Sequence, residues 1–264
     1  MKLSHAANTV TGNLMEGNWA ADAGGAIELD NDASLVQDNS FVANTAYRGG
    51  GLHTWFNEEE GWIVGNEFRD NVATWCGGAI QADYDHYTVT LLHNQIIGNE
   101  APYGAGLCTK DYVDLVVQNS VFRDNAASTS GGVAYINGGD TLFLNSVLYG
   151  NTGTGQPGIY SYSGTITMLN SVVMGHDPGP GWTLNGTTTD IRYNIFYGNV
   201  TDLSSGEIST ESGNILQDPL FLDAEADNWE LSKDSPAIDA GDPKILDSDG
   251  SRSDIGLHGG PEAD

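Results

Sequence analysis

The sequence predicts an all-β solenoid, a right-handed parallel β-helix of about eight coils finished by an irregular C-terminal cap. Three observations predict it: a unit that recurs every 23 to 28 residues, period-two alternation inside each unit, and no window with a capped helical stripe. Asn13 to Leu29 reads NLMEGNWAADAGGAIEL, Asn39 to Thr54 reads NSFVANTAYRGGGLHT, and Asn66 to Ala82 reads NEFRDNVATWCGGAIQA. Later copies begin at Asn94, Ser120 and Ser146, and two shortened ones at Ser171 and Asn194. Their second turn falls at Asn18, Asn44, Asn71, Asn99, Asn125, Asn151, His176 and Asn199. The repeats fill residues 1–200, and residues 201–264 form the terminal coil or coils and the cap.

Each element has its own reason. Ile27 and Leu29, or Ile80 and Ala82, alternate with polar neighbours, as a strand with one buried face requires. A second strand precedes each Asn turn, for example Gly61 to Val64 and Leu115 to Val117. The Asn at a tight turn suits a left-handed backbone, and its amide can bond the Asn of the next coil. Gly24-Gly25, Gly49-Gly50, Gly77-Gly78 and Gly131-Gly132 mark a second corner, too sharp for a Cβ. After Asn199 the period fails, and Pro219, Pro236 and Pro243, which cannot donate to a ladder, suit a terminator.

GGAI at Gly24–Ile27 and Gly77–Ile80, with FxxN at Phe41–Asn44, Phe68–Asn71 and Phe122–Asn125, resembles the repeat of the chlamydial polymorphic membrane proteins. That resemblance runs from about Leu3 to Asn199 and implies a β-helix and a cell-surface context. From Asn214 the run DP-F, L-SPAIDAG and D-DG-R-DIG resembles the terminal segment of bacterial surface proteins of the choice-of-anchor Q group, which closes a β-helix ahead of a sorting tail. Leu257-His258 stand where that group has an aromatic residue.

Composition narrows the partners. Thirty-six acidic residues against nine Lys and Arg give a formal charge of −27, which argues against nucleic acid and against adsorption to an anionic membrane. No apolar stretch is long enough for direct membrane insertion. A polysaccharide, or a glycan or protein on a host or neighbouring surface, is the expected partner. The expected setting is secreted or cell-surface, with no signal peptide or anchor in this chain. The acidity itself suits solubility in such a setting.

Stacking the coils on the glycine corner gives two outer columns: Glu28, His53, Gln81, Cys108, Tyr135, and Asp30, Trp55, Asp83, Lys110, Asn137. Lys110 is the only lysine between Lys2 and Lys233. A polysaccharide lyase would use it as the base beside a cation, and a glycosidase would draw two carboxylates from Asp83, Asp85 and Asp111. Against both stands a solvated acidic surface with Lys110 as a counter-charge, and the sequence lacks the GHG and RxK signatures of polygalacturonases. Tyr47, Trp75 and Tyr103 precede the corner in successive coils and could form a sugar platform, or simply pack along an edge. Trp55, Tyr84 and Tyr112 would add rings from the neighbouring loops. Asp247-x-Asp249-Gly250-x-x-x-Asp254 has carboxylate spacing for calcium, or is an ordinary turn. Cys76 lies just before a corner and Cys108 five positions past its counterpart. At about 3.3 Å per strand residue this predicts two free thiols. The expected role is adhesion or glycan binding, stabilised by calcium. The rivals are a polysaccharide-cleaving enzyme on the outer face and a structural spacer in a larger surface protein.

Overall fold

The computed structural model describes residues 1–4, 8–30, 34–55, 60–83, 88–177, 182–184, 187–199 and 208–263, with backbone alone at 182–184, 187–188 and 208–210. The chain winds as a parallel β-helix whose coils contribute to three ladders. The first is an eight-stranded parallel sheet of short strands, from Leu14–Glu16 through Glu67–Arg69 to Ile195–Tyr197. The second has five strands: Thr45–Arg48, Val72–Cys76, Glu100–Tyr103, Ala126–Ser130 and Thr152–Gly153. The third has 15 strands in two arms. One arm holds Ile27–Asp30, Leu52–Trp55, Ile80–Asp83 and Leu107–Lys110, and the other holds strands such as Gly61–Val64 and Val89–Leu92. The arms merge where Ala134–Leu144 and Ile159–Leu169 run through both without a loop.

Period-two alternation sends one column of each ladder inward. Phe41, Phe68, Ile96, Phe122, Leu148, Val173 and Phe196 occupy one column rung by rung, and all are buried. Phe41 and Phe68 stack with centroids 4.5 Å apart and planes within 4°. Each fully buried side chain of this kind contributes roughly 1.5–3 kcal/mol, so the core is a sum of rungs, as expected of a solenoid.

Two files of turn residues close the short strands, and the structure gives them a specific chemistry. Asn44 Oδ1 accepts from Asn18 N and Nδ2, Asn71 Oδ1 from Asn44 N and Nδ2, and Asn99 Oδ1 from Asn71 N and Nδ2. Each Nδ2 also donates back one coil to a carbonyl, as Asn71 does to Phe41 O at 2.8 Å. A parallel file runs through Asn13, Asn39, Asn66 and Asn94, then through the hydroxyls of Ser120, Ser146 and Ser171, and ends in Asn194 and Asn214. Buried backbone groups are thereby satisfied. The left-handed residue is the one before each Asn: Ala43, Asp70, Gly98 and Asp124 have φ of 51°, 55°, 65° and 53°. The Asn is therefore kept for its amide, and the residue ahead of it carries the turn. The glycine corner is as expected, since a Cβ on Gly50 would lie 2.3 Å from the Gly78 carbonyl oxygen.

The C-terminal segment does not lie across the last coil alone. It runs back along the outside of the first sheet. There Val121, Val147, Val172 and Ile195 face outward and pack against Trp229, Ala237 and Ile255. Asn119 Nδ2 donates to Leu257 O and Gly259 O, Asn145 Nδ2 to Asp254 O, and Asn170 Oδ1 accepts from Asp242 N. Arg123 pairs with Asp227 at 2.6 Å, and the Tyr149 hydroxyl donates to Glu225. That bond pushes the Tyr149 hydroxyl up to about 12. Among the described residues no helix is long and apolar enough to cross a membrane.

Candidate functional site

The outer faces of the second sheet and the first arm of the third meet at the glycine corner and leave a groove of about 270 Å³ between them. Trp75 and Tyr103 line one wall. Lys110, Tyr135 and Asn137 line the other, with Cys76 and Cys108 between them. Strand register fixes the walls: Cys76 pairs with Tyr103, Asp83 with Lys110, and Cys108 with Tyr135.

Aromatic rings follow the groove along the solenoid axis. Tyr47 stacks on Trp75 with centroids 5.8 Å apart and planes 11° apart. Tyr103 meets Tyr135 edge-on at 5.2 Å, and Tyr135 stacks on Tyr160 at 5.2 Å. Lys110 Nζ stands 5.8 Å over the Trp75 ring and 3.8 Å from Asp111. Rings stacked on one another or meeting edge-on, with one cation among them, give the groove an aromatic wall beside a charged donor. Burial pushes the Tyr135 hydroxyl above its ordinary value. A larger depression of 520 Å³ on the other arm, around Trp62 and Thr90, has a single aromatic ring in its lining.

Two cross-links span the corner. One is a disulfide between Cys76 and Cys108, with Cα atoms 5.9 Å apart. This overturns the expectation of free thiols. The five-residue offset was measured along a straight strand, but the interval contains the corner Gly104-Ala105-Gly106, which folds the chain back toward Cys76. The other cross-link is ionic. Arg48, at the end of its strand in the second sheet, reaches Asp83 Oδ2 at 3.3 Å and Asp22 at 3.0 Å. His53 Nε2 lies 3.1 Å from the same Asp83 oxygen, and Gln81 Nε2 donates to Asp83 Oδ1 at 2.7 Å.

The two outer columns form in the strand register, but their middle members are not open surface. His53, Gln81, Asp83 and Cys108 are all at most 2% exposed. Asp83 loses solvation there, which by itself would raise it. The bonds from His53 and Gln81 and the nearby Arg48 charge outweigh that and hold it below the usual carboxylate range. Buried and ion-paired, Asp83 is an anchor for the corner. A proton-transferring group would have to reach the groove, and its two oxygens are spoken for. His53 Nδ1, Gln81 Oε1 and Arg48 Nε meet no partner among the described residues.

The other expected residues divide. Trp75, Tyr103 and Lys110 come together at the groove, and Tyr47 stacks on Trp75. Trp55 ends its strand at the surface, and Tyr112 is exposed in a turn whose ring lies over Gly138. Tyr84 and Asp85 fall outside the described residues. Asp111 stays beside Lys110. Asp247 and Asp254 accept from backbone N–H groups of Asp254, Gly260 and Asp239, and Asp249 accepts from Ser251. Arg252 turns away to the carbonyls of Ala240 and Gly241. Among the described residues no group of three or more His, Cys, Asp or Glu side chains is arranged to hold a metal. Sequence reasoning missed Tyr135, Tyr160, Asn137 and Arg48. Tyr135 and Asn137 both stand in the register columns, beside Cys108 and Lys110, and that register is the available signal.

The geometry agrees with a comparison of the sequence to family models. Residues 58–220, more than half of the chain, match the model described as a right-handed β-helix region. The chain belongs to the right-handed β-helix family. That membership gives the solenoid its hand and fits a surface or carbohydrate-active module in general. No match is found among curated proteins or among solved structures.

Proposed function

We propose that this right-handed β-helix protein is an extracellular or cell-surface module that binds a linear glycan lying along the axis. The observation that carries the reading is the set of rings Trp75, Tyr103 and Tyr135 lining a groove with Lys110 and Asn137, extended by Tyr47 stacked on Trp75 and Tyr160 stacked on Tyr135. Successive rungs are roughly 4.8 Å apart, close to the length of one sugar unit in an extended chain. A ring on each rung could thus meet successive sugars. The charge of −27 disfavours a polyanion, so a neutral or weakly charged glycan suits the groove better. The Cys76–Cys108 disulfide supports an oxidising, extracytoplasmic setting.

The test is a glycan array probed with wild type and with Trp75→Ala and Tyr135→Ala, with and without calcium. Binding lost in both variants supports the reading. Silence across a broad array, or binding indifferent to both substitutions, overturns it. A lyase remains the second reading because Lys110 lines the groove. It requires unsaturated product from uronate-rich polysaccharides that Lys110→Ala abolishes. Calcium belongs to the proposal as a stabiliser of the C-terminal turn. Supporting it, burial and the neighbouring Asp247, Asp239 and Asp249 charges push Asp254 up, a repulsion a cation would relieve. A melting temperature unchanged by EDTA removes calcium.

A further inference from the structure

We propose that the Cys76–Cys108 disulfide positions Trp75 in the groove, so that the aromatic wall depends on an intact cross-link. In what it says about binding, this rests on the glycan reading above.

The strand Val72–Cys76 carries an irregularity that the coils directly before and after it lack and that recurs two coils on in Ala126–Ser130, where Ser130 stands in place of the cysteine. Against the coil before, Ala73 pairs with Ala46 but Cys76 with Arg48. Against the coil after, Val72 pairs with Glu100 but Cys76 with Tyr103. On both sides the strand of Trp75 has one residue more than its partner, which is a β-bulge. A bulge re-aims a side chain and leaves its residue outside the ladder, so the ladder hydrogen bonds do not by themselves fix Trp75. Its neighbour Cys76 rejoins the ladder on both sides and carries the disulfide across the corner.

The tie leads directly to the opposite wall. Cys108 stands two residues before Lys110 in the strand Leu107–Lys110, and Lys110 Nζ stands over the Trp75 ring. One covalent bond thus joins the bulge holding the ring to the strand holding the cation. Cys76 and Cys108 are at most 2% exposed and line the same groove. In the coil before, Arg48, the register partner of Cys76 and the residue after Tyr47, crosses the corner with an ion pair to Asp83, the register partner of Lys110. Each of the two stacked rings, Tyr47 and Trp75, therefore sits beside a residue that crosses to the other sheet.

The experiment compares wild type with Cys76→Ala/Cys108→Ala. A second arm reduces folded wild type with dithiothreitol. Thiolate attack breaks the S–S bond and yields two protein thiols and the cyclic oxidised reagent, and alkylation confirms the two thiols. Two readouts need no glycan. Acrylamide quenching assigned to Trp75 by difference from Trp75→Phe should rise about twofold. Amide exchange at 72–76 and 107–110 should accelerate about tenfold or more, while Asn71 and Asn99, held by their ladder, stay protected. The third readout is titration with hexasaccharides of β-1,4-glucose and of α-1,4-galacturonate. Unchanged quenching and exchange in the cross-link-free protein overturns the proposal whatever the binding. A loosened Trp75 with undiminished hexasaccharide binding overturns it too. A loosened Trp75 with weakened binding supports it. A loosened Trp75 with no binding of either hexasaccharide by either form supports the positioning and counts against the glycan reading alone, which the array then decides.

Discussion

Replacing His176 by Asn should stabilise the protein, a substitution the Asn file itself suggests. His176 occupies the file between Asn151 and Asn199, fully buried, with neither ring nitrogen bonded among the described residues. Burial pushes its imidazole down to about 4. An Asn there would offer Oδ1 to the Asn151 N–H, as Asn151 does to Asn125 at 3.0 Å. Its Nδ2 would reach Asn199 Oδ1, which His176 N already meets at 3.1 Å. It would also reach the Leu148 carbonyl, because Asn151 and Asn199 donate to Phe122 and Val173 of that same column. Three restored bonds at about 1 kcal/mol each, plus relief of two unsatisfied nitrogens at about 1 kcal/mol or more each, are offset by about 1–2 kcal/mol for the smaller side chain. The net is about 3 kcal/mol, or about 6 °C in Tm for a chain of this size.

The effect also has a pH signature. The folded pKa lies below the unfolded one, so stability is full above about pH 6.5 and falls as the unfolded chain takes up a proton. The loss reaches about 3 kcal/mol near pH 4. His176→Asn removes that slope, so the gap between variant and wild type should widen between pH 7 and pH 5. The assay is thermal unfolding by circular dichroism at both pH values, with amide exchange of Asn151 as the local reporter. A variant no more stable than wild type, or a gap that does not grow on acidification, refutes the ladder argument.

Three further outcomes follow from the same bonds. Asn71→Ala removes an acceptor for Asn44 and donors to Phe41 O and Asn99, and should cost about 3–5 kcal/mol in urea unfolding. Arg48→Ala leaves Asp83 charged and buried with less compensation, and should destabilise by about 3 kcal/mol at neutral pH. Because Asp83 is held low, its contribution is present above the ordinary carboxylate value and fades on further acidification. Wild type should therefore lose stability below about pH 4, and Arg48→Ala should lose less there. Trp229→Ala should cost about 3–5 kcal/mol of the flank packing and expose 214–264 to limited proteolysis while the coils before Val121 stay protected.

Much of this molecule is readable from a single coil. The Asn spacing predicts the rungs, the paired glycines predict the corner, and the alternation of Ile80 with Ala82 predicts which side chains enter the core. These are local facts, repeated, and a solenoid needs little more because each coil contacts mainly its neighbours. What the sequence could not place depends on distances across a bend. Cys76 reaches Cys108, and Arg48 reaches Asp83, only because the glycine corner brings the outer faces of two sheets together, and residue counting along a straight strand measures that distance wrongly. Asp83 is buried for the same reason, although its column faces outward. The C-terminal segment is the other case. Its prolines announce an end to the repeat, but its resting place against Val121, Val147, Val172 and Ile195 is set by an apolar stripe that exists only once four coils have stacked. Period and local chemistry determined the coil, and the angle between sheets decided which residues meet.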